Sequence, residues 1–228
     1  MRSDDPRLYY DRLGDRFDDW MSDYDVERRQ ALVFEDLLAG GAMEGLRVLE
    51  VGCGTGRFSS QLRRRGADLV VLDIGLGLTR RVAAAAAGRG VTGDATRLPF
   101  ATGAFDLVVS SECIEHCETP LVAIAELCRV VGSGGRVCLT TPNRLWLPIV
   151  RSAQFLRLRR FQGVENWIWP LQARAEMRRH GLVQLALSGC HLWPFQLRFA
   201  RPLLAWIDGA GRRLYPLMIN FGIVGTKA

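Results

Sequence analysis

A chain of 228 residues with 48% apolar content can bury a sizeable core, and it reads as a single domain over residues 1–228. Its longest uniformly apolar runs, at 82–87 and 145–150, fall far short of the roughly 20 residues a bilayer requires, which excludes a spanning helix. The net charge of +6 is uneven: residues 1–140 hold 17 Arg and 21 acidic residues, and residues 141–228 hold 13 basic and three acidic ones, so attraction to an anionic partner belongs to the second part.

The first 20 residues are acidic and aromatic, with neither the apolar core nor the cleavage site of a secretory signal, and a cytoplasmic location is the expectation. Tyr9, Tyr10, Trp20 and Tyr24, with a helix over 26–39, suit a helical lid over residues 1–40. From Arg47 onward, short β-branched or leucine-rich runs alternate with helical patterns. Strands are predicted at 47–51, 68–73, 90–93, 105–110, 135–141, 182–188 and 219–225. Helices are predicted at 57–65, 78–87 and 121–131, the last opened by Thr119 as cap and Pro120 in the first turn. This order predicts an α/β fold, a seven-stranded parallel sheet with helices on both faces. Residues 45–141 form its binding core. The Trp-rich segment 142–215 is too long for a simple crossover and reads as an inserted helical cap, leaving 216–228 for the last strand. The six cysteines form no Cys-x-x-Cys pair and read as structural thiols.

The run Glu50-Val-Gly52-Cys-Gly54-Thr-Gly56 follows the first strand and leads into a helix, so glycines occupy a turn where backbone approaches a ligand. A dinucleotide loop would need its third glycine where Arg57 stands, which disfavours NAD and FAD. Glu50 suits a ligand with a cationic amino-acid end. Together with Asp73 closing the second strand and Gly93-Asp94-Ala95 after the third, this run resembles the motifs of class I S-adenosylmethionine-dependent methyltransferases. Within that class the chain is closest in pattern to the ubiquinone and menaquinone biosynthesis group. The resemblance implies a Rossmann-like fold and S-adenosylmethionine as cofactor. It implies that Gly52, Gly54 and Gly56 line the methionine portion, that Asp73 takes both ribose hydroxyls, and that Asp94 and the Ala95 amide meet the adenine. Ser111 belongs with these cofactor contacts. A carboxylate is a bidentate acceptor for a vicinal diol, in keeping with that role for Asp73. Ile74-Gly75 departs from the Ser or Pro of many relatives.

The fourth strand ends in Ser110-Ser-Glu-Cys-Ile-Glu-His116, at the carboxyl edge where doubly wound folds bind ligands. Methyl transfer from a sulfonium relies on alignment and needs a base only when the nucleophile holds a proton. His116, with an ordinary pKa of about 6.5, suits that task, with Glu115 beside it; a helix-capping or packing histidine is the alternative. On a helical turn Glu112, Glu115 and His116 would share one face and could hold a hard cation. Glu-x-x-Glu-His resembles the ubiquinone O-methyltransferases, where it is associated with a magnesium-type ion; the same turn could instead serve the cofactor through its backbone. Thr140-Thr-Pro-Asn143 does not match the motif of amino-methylating DNA enzymes.

Segment 145–161 mixes apolar and Arg positions ahead of Trp167 and Trp169, as in a basic amphipathic interfacial helix or a cap over a greasy substrate. Trp146, Phe155, Phe161, Trp167 and Trp169 are expected to gather on the acceptor side, with peripheral membrane contact as a further expectation. The leading function is methyl transfer to a small lipophilic or aromatic metabolite, at oxygen. The alternatives are an RNA or protein methyltransferase using the basic second part, with nucleic acid disfavoured by the lack of an appended binding module, and a non-catalytic cofactor-binding subunit.

Overall fold

The computed structural model describes residues 6–13, 22–85, 89–156, 163–193 and 201–228. In chain order it comprises α1 (Tyr9–Leu13), α2 (Asp23–Ala31) running into a π-helical turn (Leu32–Leu37), β1 (Arg47–Val51), α3 (Arg57–Arg64), β2 (Asp68–Asp73), α4 (Leu76–Ala85) and β3 (Arg89–Thr92). There follow β4 (Phe105–Ser111), a 3-10 turn (Ile114–His116), α5 (Pro120–Val130), β5 (Val131–Pro142), a second 3-10 turn (Arg144–Trp146) and α6 (Leu147–Phe155). The chain closes with α7 (Pro170–Arg179), β6 (Leu182–Cys190), α8 (Arg201–Asp208), α9 (Gly211–Leu214) and β7 (Asn220–Lys227).

Strand periodicity divides the apolar residues between two cores. Val48, Leu69, Val71, Leu107 and Val109 join the π-helical turn, α3 and Val82 on one face. Leu49, Val70, Leu72, Val108 and Val137 join α5 and α7 on the other. The helices on both faces are therefore present. The strand order is β3-β2-β1-β4-β5-β7-β6. Because the chain winds outward from β1 to β3 and then returns to β4 on the far side of β1, a crevice opens at the carboxyl ends of β1 and β4.

The all-parallel expectation needs correction at β7, which runs antiparallel between β5 and β6. The cap boundaries also need correction. Within 142–215, α7 packs on α5 as a crossover helix, and β6 is the edge strand of the sheet. The helix expected over 26–39 changes pitch at Leu32: Leu38 N donates to Val33 O and Gly40 N to Phe34 O, and Ala39 and Gly40 end it with positive φ. β5 starts earlier than its apolar run, because Val131 pairs with Phe105 ahead of a register shift. All six cysteines are free thiols. Among the described residues no helix is long and apolar enough to cross a membrane.

Candidate active site

A cavity of about 400 Å³ occupies the crevice, within the range of small-molecule sites. Its floor is the glycine loop. Gly52 and Gly54 line it with positive φ, and a Cβ built on Gly54 would meet nothing within 4 Å, so the missing side chain leaves room in the cavity. Gly56 departs from the expectation: it caps α3 with φ +88°, its Cβ direction is closed by Val82, and it is not part of the lining.

Glu50, Asp73, Asp94, Ala95 and Ser111 all line the cavity. Glu50 is buried and accepts a short hydrogen bond from the Ser59 hydroxyl. Asp73 accepts from Gly54 N at 3.0 Å and from Gly75 N at 2.9 Å, which ties the second strand to the glycine loop. Burial raises its carboxyl, and those two N–H groups oppose the rise. Asp94 Oδ1 accepts from the amide and hydroxyl of Thr96 at 2.8 and 2.7 Å.

The Gly75 departure has a structural reason. Asp11 of α1 caps α4 by accepting from Leu78 N at 3.1 Å, and a Cβ on Gly75 or Gly77 would collide with it. This contact brings Tyr10 and Asp11 into the lining. Tyr24 instead packs against the His191 ring, and Trp20 lies outside the described residues.

Glu112, Glu115 and His116 also reach the cavity, but they do not form the helical face expected of a metal site. Glu112 has φ +50° ahead of a 3-10 turn, so its carboxylate swings to the sheet and accepts from Thr140 Oγ1 at 3.0 Å and Asn220 Nδ2 at 2.6 Å. Glu115 accepts from Thr141 Oγ1 at 3.0 Å. Among the described residues no three His, Cys, Asp or Glu side chains come together as metal ligands. The magnesium reading is therefore withdrawn.

His116 Nδ1 lies 2.8 Å from Val164 O, which can only accept, so Nδ1 carries the proton and Nε2 is the basic nitrogen of the neutral ring. Nε2 is 3.8 Å from Glu115 Oε1, and the Tyr10 ring stands edge-on at 4.9 Å.

The gathered cap aromatics also need correction. Trp167 is buried and lines the cavity, whereas Phe155 is 87% exposed and Trp169 43% exposed. Trp146 donates to Leu217 O at 2.9 Å, and Phe161 is outside the described residues. Asn143 is structural, bonded to the carbonyls of Pro216 and Met218.

Sequence reasoning missed Arg29. This nearly buried residue of α2 lines the cavity and donates through Nη2 to Asp25 at 2.6 Å. Its Nε has no hydrogen-bond partner among the described residues.

Residues 49–139 match the methyltransferase domain family. A demethylmenaquinone methyltransferase of Renibacterium salmoninarum is 34% identical over 146 residues, 60% of this chain and 58% of that protein. A malonyl-(acyl-carrier protein) O-methyltransferase of Methylococcus capsulatus is 34% identical over 172 residues, 72% of this chain and 62% of that protein. The chain thus spans less than two thirds of the length of either relative. Among solved structures, an S-adenosylmethionine-dependent methyltransferase of Thermotoga maritima, described as a possible histamine N-methyltransferase, shares the fold. Its TM-score is 0.69 at 18% identity, covering 98% of this chain and 100% of that one. The family match over residues 49–139, these relatives and the shared fold together indicate a class I S-adenosylmethionine-dependent methyltransferase.

The cavity fits the cofactor of that class. S-adenosylmethionine carries an ammonium, a carboxylate, a sulfonium and a ribose diol, and the methyltransferase lining supplies a counterpart for its charged ends. Gly54 leaves space, buried Glu50 suits the ammonium, Asp73 suits the diol, and the orphaned Nε–H of Arg29 suits a carboxylate.

These buried acids make the ligand-free methyltransferase sensitive to pH. Burial, the largest cause in each case, pushes Glu50 and Glu112 up to about 8 and Glu115 to about 7. An unfolded glutamate releases its proton near 4.5, so between these values the folded state binds more protons than the unfolded one. Stability therefore falls as pH rises from about 5 to about 8. The Tm of ligand-free protein should drop across that interval. A flat or rising Tm would show that the three carboxyls are ionised in the fold.

Proposed function

We propose that this methyltransferase modifies an oxygen of a small, flat, lipophilic acceptor, with His116 as the base that removes the acceptor's proton. The observation that carries the reading is the Nδ1–H···O=C bond to Val164, which leaves Nε2 as the basic nitrogen of a ring at the cavity wall. When bound, the cofactor supplies an electrophilic methyl group on its sulfonium. Arg29 would hold its carboxylate and Glu50 its ammonium, Asp73 would hold the ribose, Asp94 and Ala95 the adenine, and Ser111 lines the cavity from the end of β4.

On the acceptor side, the Tyr10 ring stands against His116, and Trp167 and Pro142 line the same cavity, which supports an aromatic or quinone-like acceptor. The name of the Renibacterium relative supports the same class, and that of the Methylococcus relative supports an acyl carboxylate. Exposed Ile149, Phe155 and Leu156 with exposed Arg144 and Arg151 support contact of this edge with an anionic membrane.

The test is transfer of a labelled methyl group to a panel of phenols, quinols, acyl-thioester carboxylates, amines and RNA, with and without anionic liposomes. Phenols and quinols are expected to be methylated fastest, and the protein to sediment with the liposomes. Preferential labelling of amines or RNA would overturn the acceptor class; absence from the lipid pellet would remove the membrane contact.

A further inference from the structure

Behind Arg29 lies a buried ionic network. His191, directly after β6, is fully buried and has φ +64°, a conformation that side-chain-bearing residues seldom adopt. Its backbone N–H donates to Asp208 Oδ1 of α8 at 2.7 Å, and its Nε2 lies 3.0 Å from Asp25 Oδ1. The other oxygen of Asp25 takes Arg29 Nη2 at 2.6 Å, and the other oxygen of Asp208 takes Arg28 Nε at 2.9 Å. Burial alone would raise the Asp25 carboxyl, but the charges and hydrogen bonds of Arg29 and His191 outweigh it and hold it below the ordinary range. An ionised Asp25 can only accept, so the His191 Nε2 carries a proton toward it.

Two physical points separate this network from ordinary packing. Buried ion pairs are weak sources of stability, since apolar residues of similar volume often serve as well or better. An i, i+4 pair such as Asp25–Arg29 also adds little by itself and leaves both side chains free to choose rotamers. The His191 bond removes that freedom at Asp25, which has one oxygen for the imidazole and one for the guanidinium. Arg28 and Arg29, adjacent on the helix and so pointing different ways, take different partners: Arg28 turns to Asp208, and Arg29 turns to the cavity with an Nε–H that has no partner among the described residues.

We propose that His191 is a positioning residue for the cofactor: through Asp25 it aims the Arg29 guanidinium at the carboxylate of the S-adenosyl ligand's amino-acid end. The proposal rests on the reading that Arg29 receives that carboxylate. It links residues 166 positions apart, so that the C-terminal segment carrying His191 and Asp208 helps shape a pocket built mostly by the N-terminal part.

Calorimetry with two probes tests it: S-adenosylhomocysteine, and 5′-methylthioadenosine, which keeps the nucleoside and thioether but has no carboxylate. Because 5′-methylthioadenosine also lacks the ammonium assigned to Glu50, Arg29→Gln should cut the preference for S-adenosylhomocysteine about tenfold or more without abolishing it. His191→Asn tolerates positive φ but falls short of Asp25, and should raise the Kd for S-adenosylhomocysteine about tenfold or more, as when one charge-assisted hydrogen bond is lost. Its Kd for 5′-methylthioadenosine should stay unchanged. His191→Gln, whose amide N–H reaches as far as Nε2, should restore the preference. Equal weakening of both probes, or of neither, in His191→Asn would overturn the proposal while leaving the Arg29 reading intact. A preference undiminished in Arg29→Gln would overturn that reading itself, and the proposal with it. If His191→Asn does not fold, Asp25→Asn undergoes the same comparison and must show the same selective loss; without it the proposal fails.

Discussion

Asp73→Ala is expected to weaken S-adenosylhomocysteine binding by about a hundredfold or more, because it removes the ribose acceptor and loosens the loop beneath the ligand at once. The parent carboxylate accepts from Gly54 N and Gly75 N, and Gly54 lies at the cavity floor. Each hydrogen bond to a charged group contributes about 1.5–3 kcal/mol, and a buried donor left without an acceptor costs about 1–3 kcal/mol. Two such losses already correspond to about two orders of magnitude in Kd. Calorimetry measures the affinity. Circular dichroism checks that the sheet survives, as β2 retains its pairing with β1 along the whole register Asp68–Leu72. Binding as tight as the parent's would mean that the ribose does not sit at the end of β2.

The fold was readable where local chemistry determines it. β1 and β2 have the bounds their apolar runs suggest, because each strand is buried on both faces and ends at a residue with a different task, the glycine turn after Val51 and the carboxylate of Asp73. The cofactor half of the site is legible for the same reason: its residues come from consecutive strand ends, and their spacing is the motif.

The acceptor half is assembled differently. Glu112, Glu115 and His116 have a helical spacing, but Glu112 adopts a left-handed conformation and bonds Thr140 and Asn220 from two other strands, contacts that no local pattern encodes. Arg29 belongs to no local motif. Its burial depends on Asp25 and on His191, which meet only after β6 has joined the sheet edge. Gly75 and Gly77 serve as the seat of Asp11, 64 and 66 residues earlier in the chain, which no local pattern announces. The cap aromatics were assigned by energetic argument alone. That argument requires large rings to be covered, but does not say that one cavity covers them, and Phe155 stands in solvent.

His116→Ala is expected to lower kcat by about a hundredfold or more, the order associated with losing a general base, while S-adenosylhomocysteine affinity changes little. The separation follows from position. His116 stands on the turn after β4 with Val164, Tyr10 and Glu115 around it, whereas the groups assigned to the cofactor come from β1, β2, the loop after β3 and α2. The pH profile adds a second readout. An unprotonated imidazole is required, so the parent rate should fall as pH drops through the titration of His116, and that acidic limb should vanish with the ring. Glu115 complicates the limb in a useful way. Burial pushes it up to about 7, and its carboxyl lies 3.8 Å from Nε2. Above about pH 7 the ionised Glu115 favours the imidazolium, so Glu115→Gln should move the upper part of the limb to lower pH and leave turnover near the plateau largely intact. Unchanged kcat and an unchanged limb in His116→Ala would leave the histidine as a packing partner of Tyr10 and reduce the chemistry to alignment of an acceptor that holds no proton to remove.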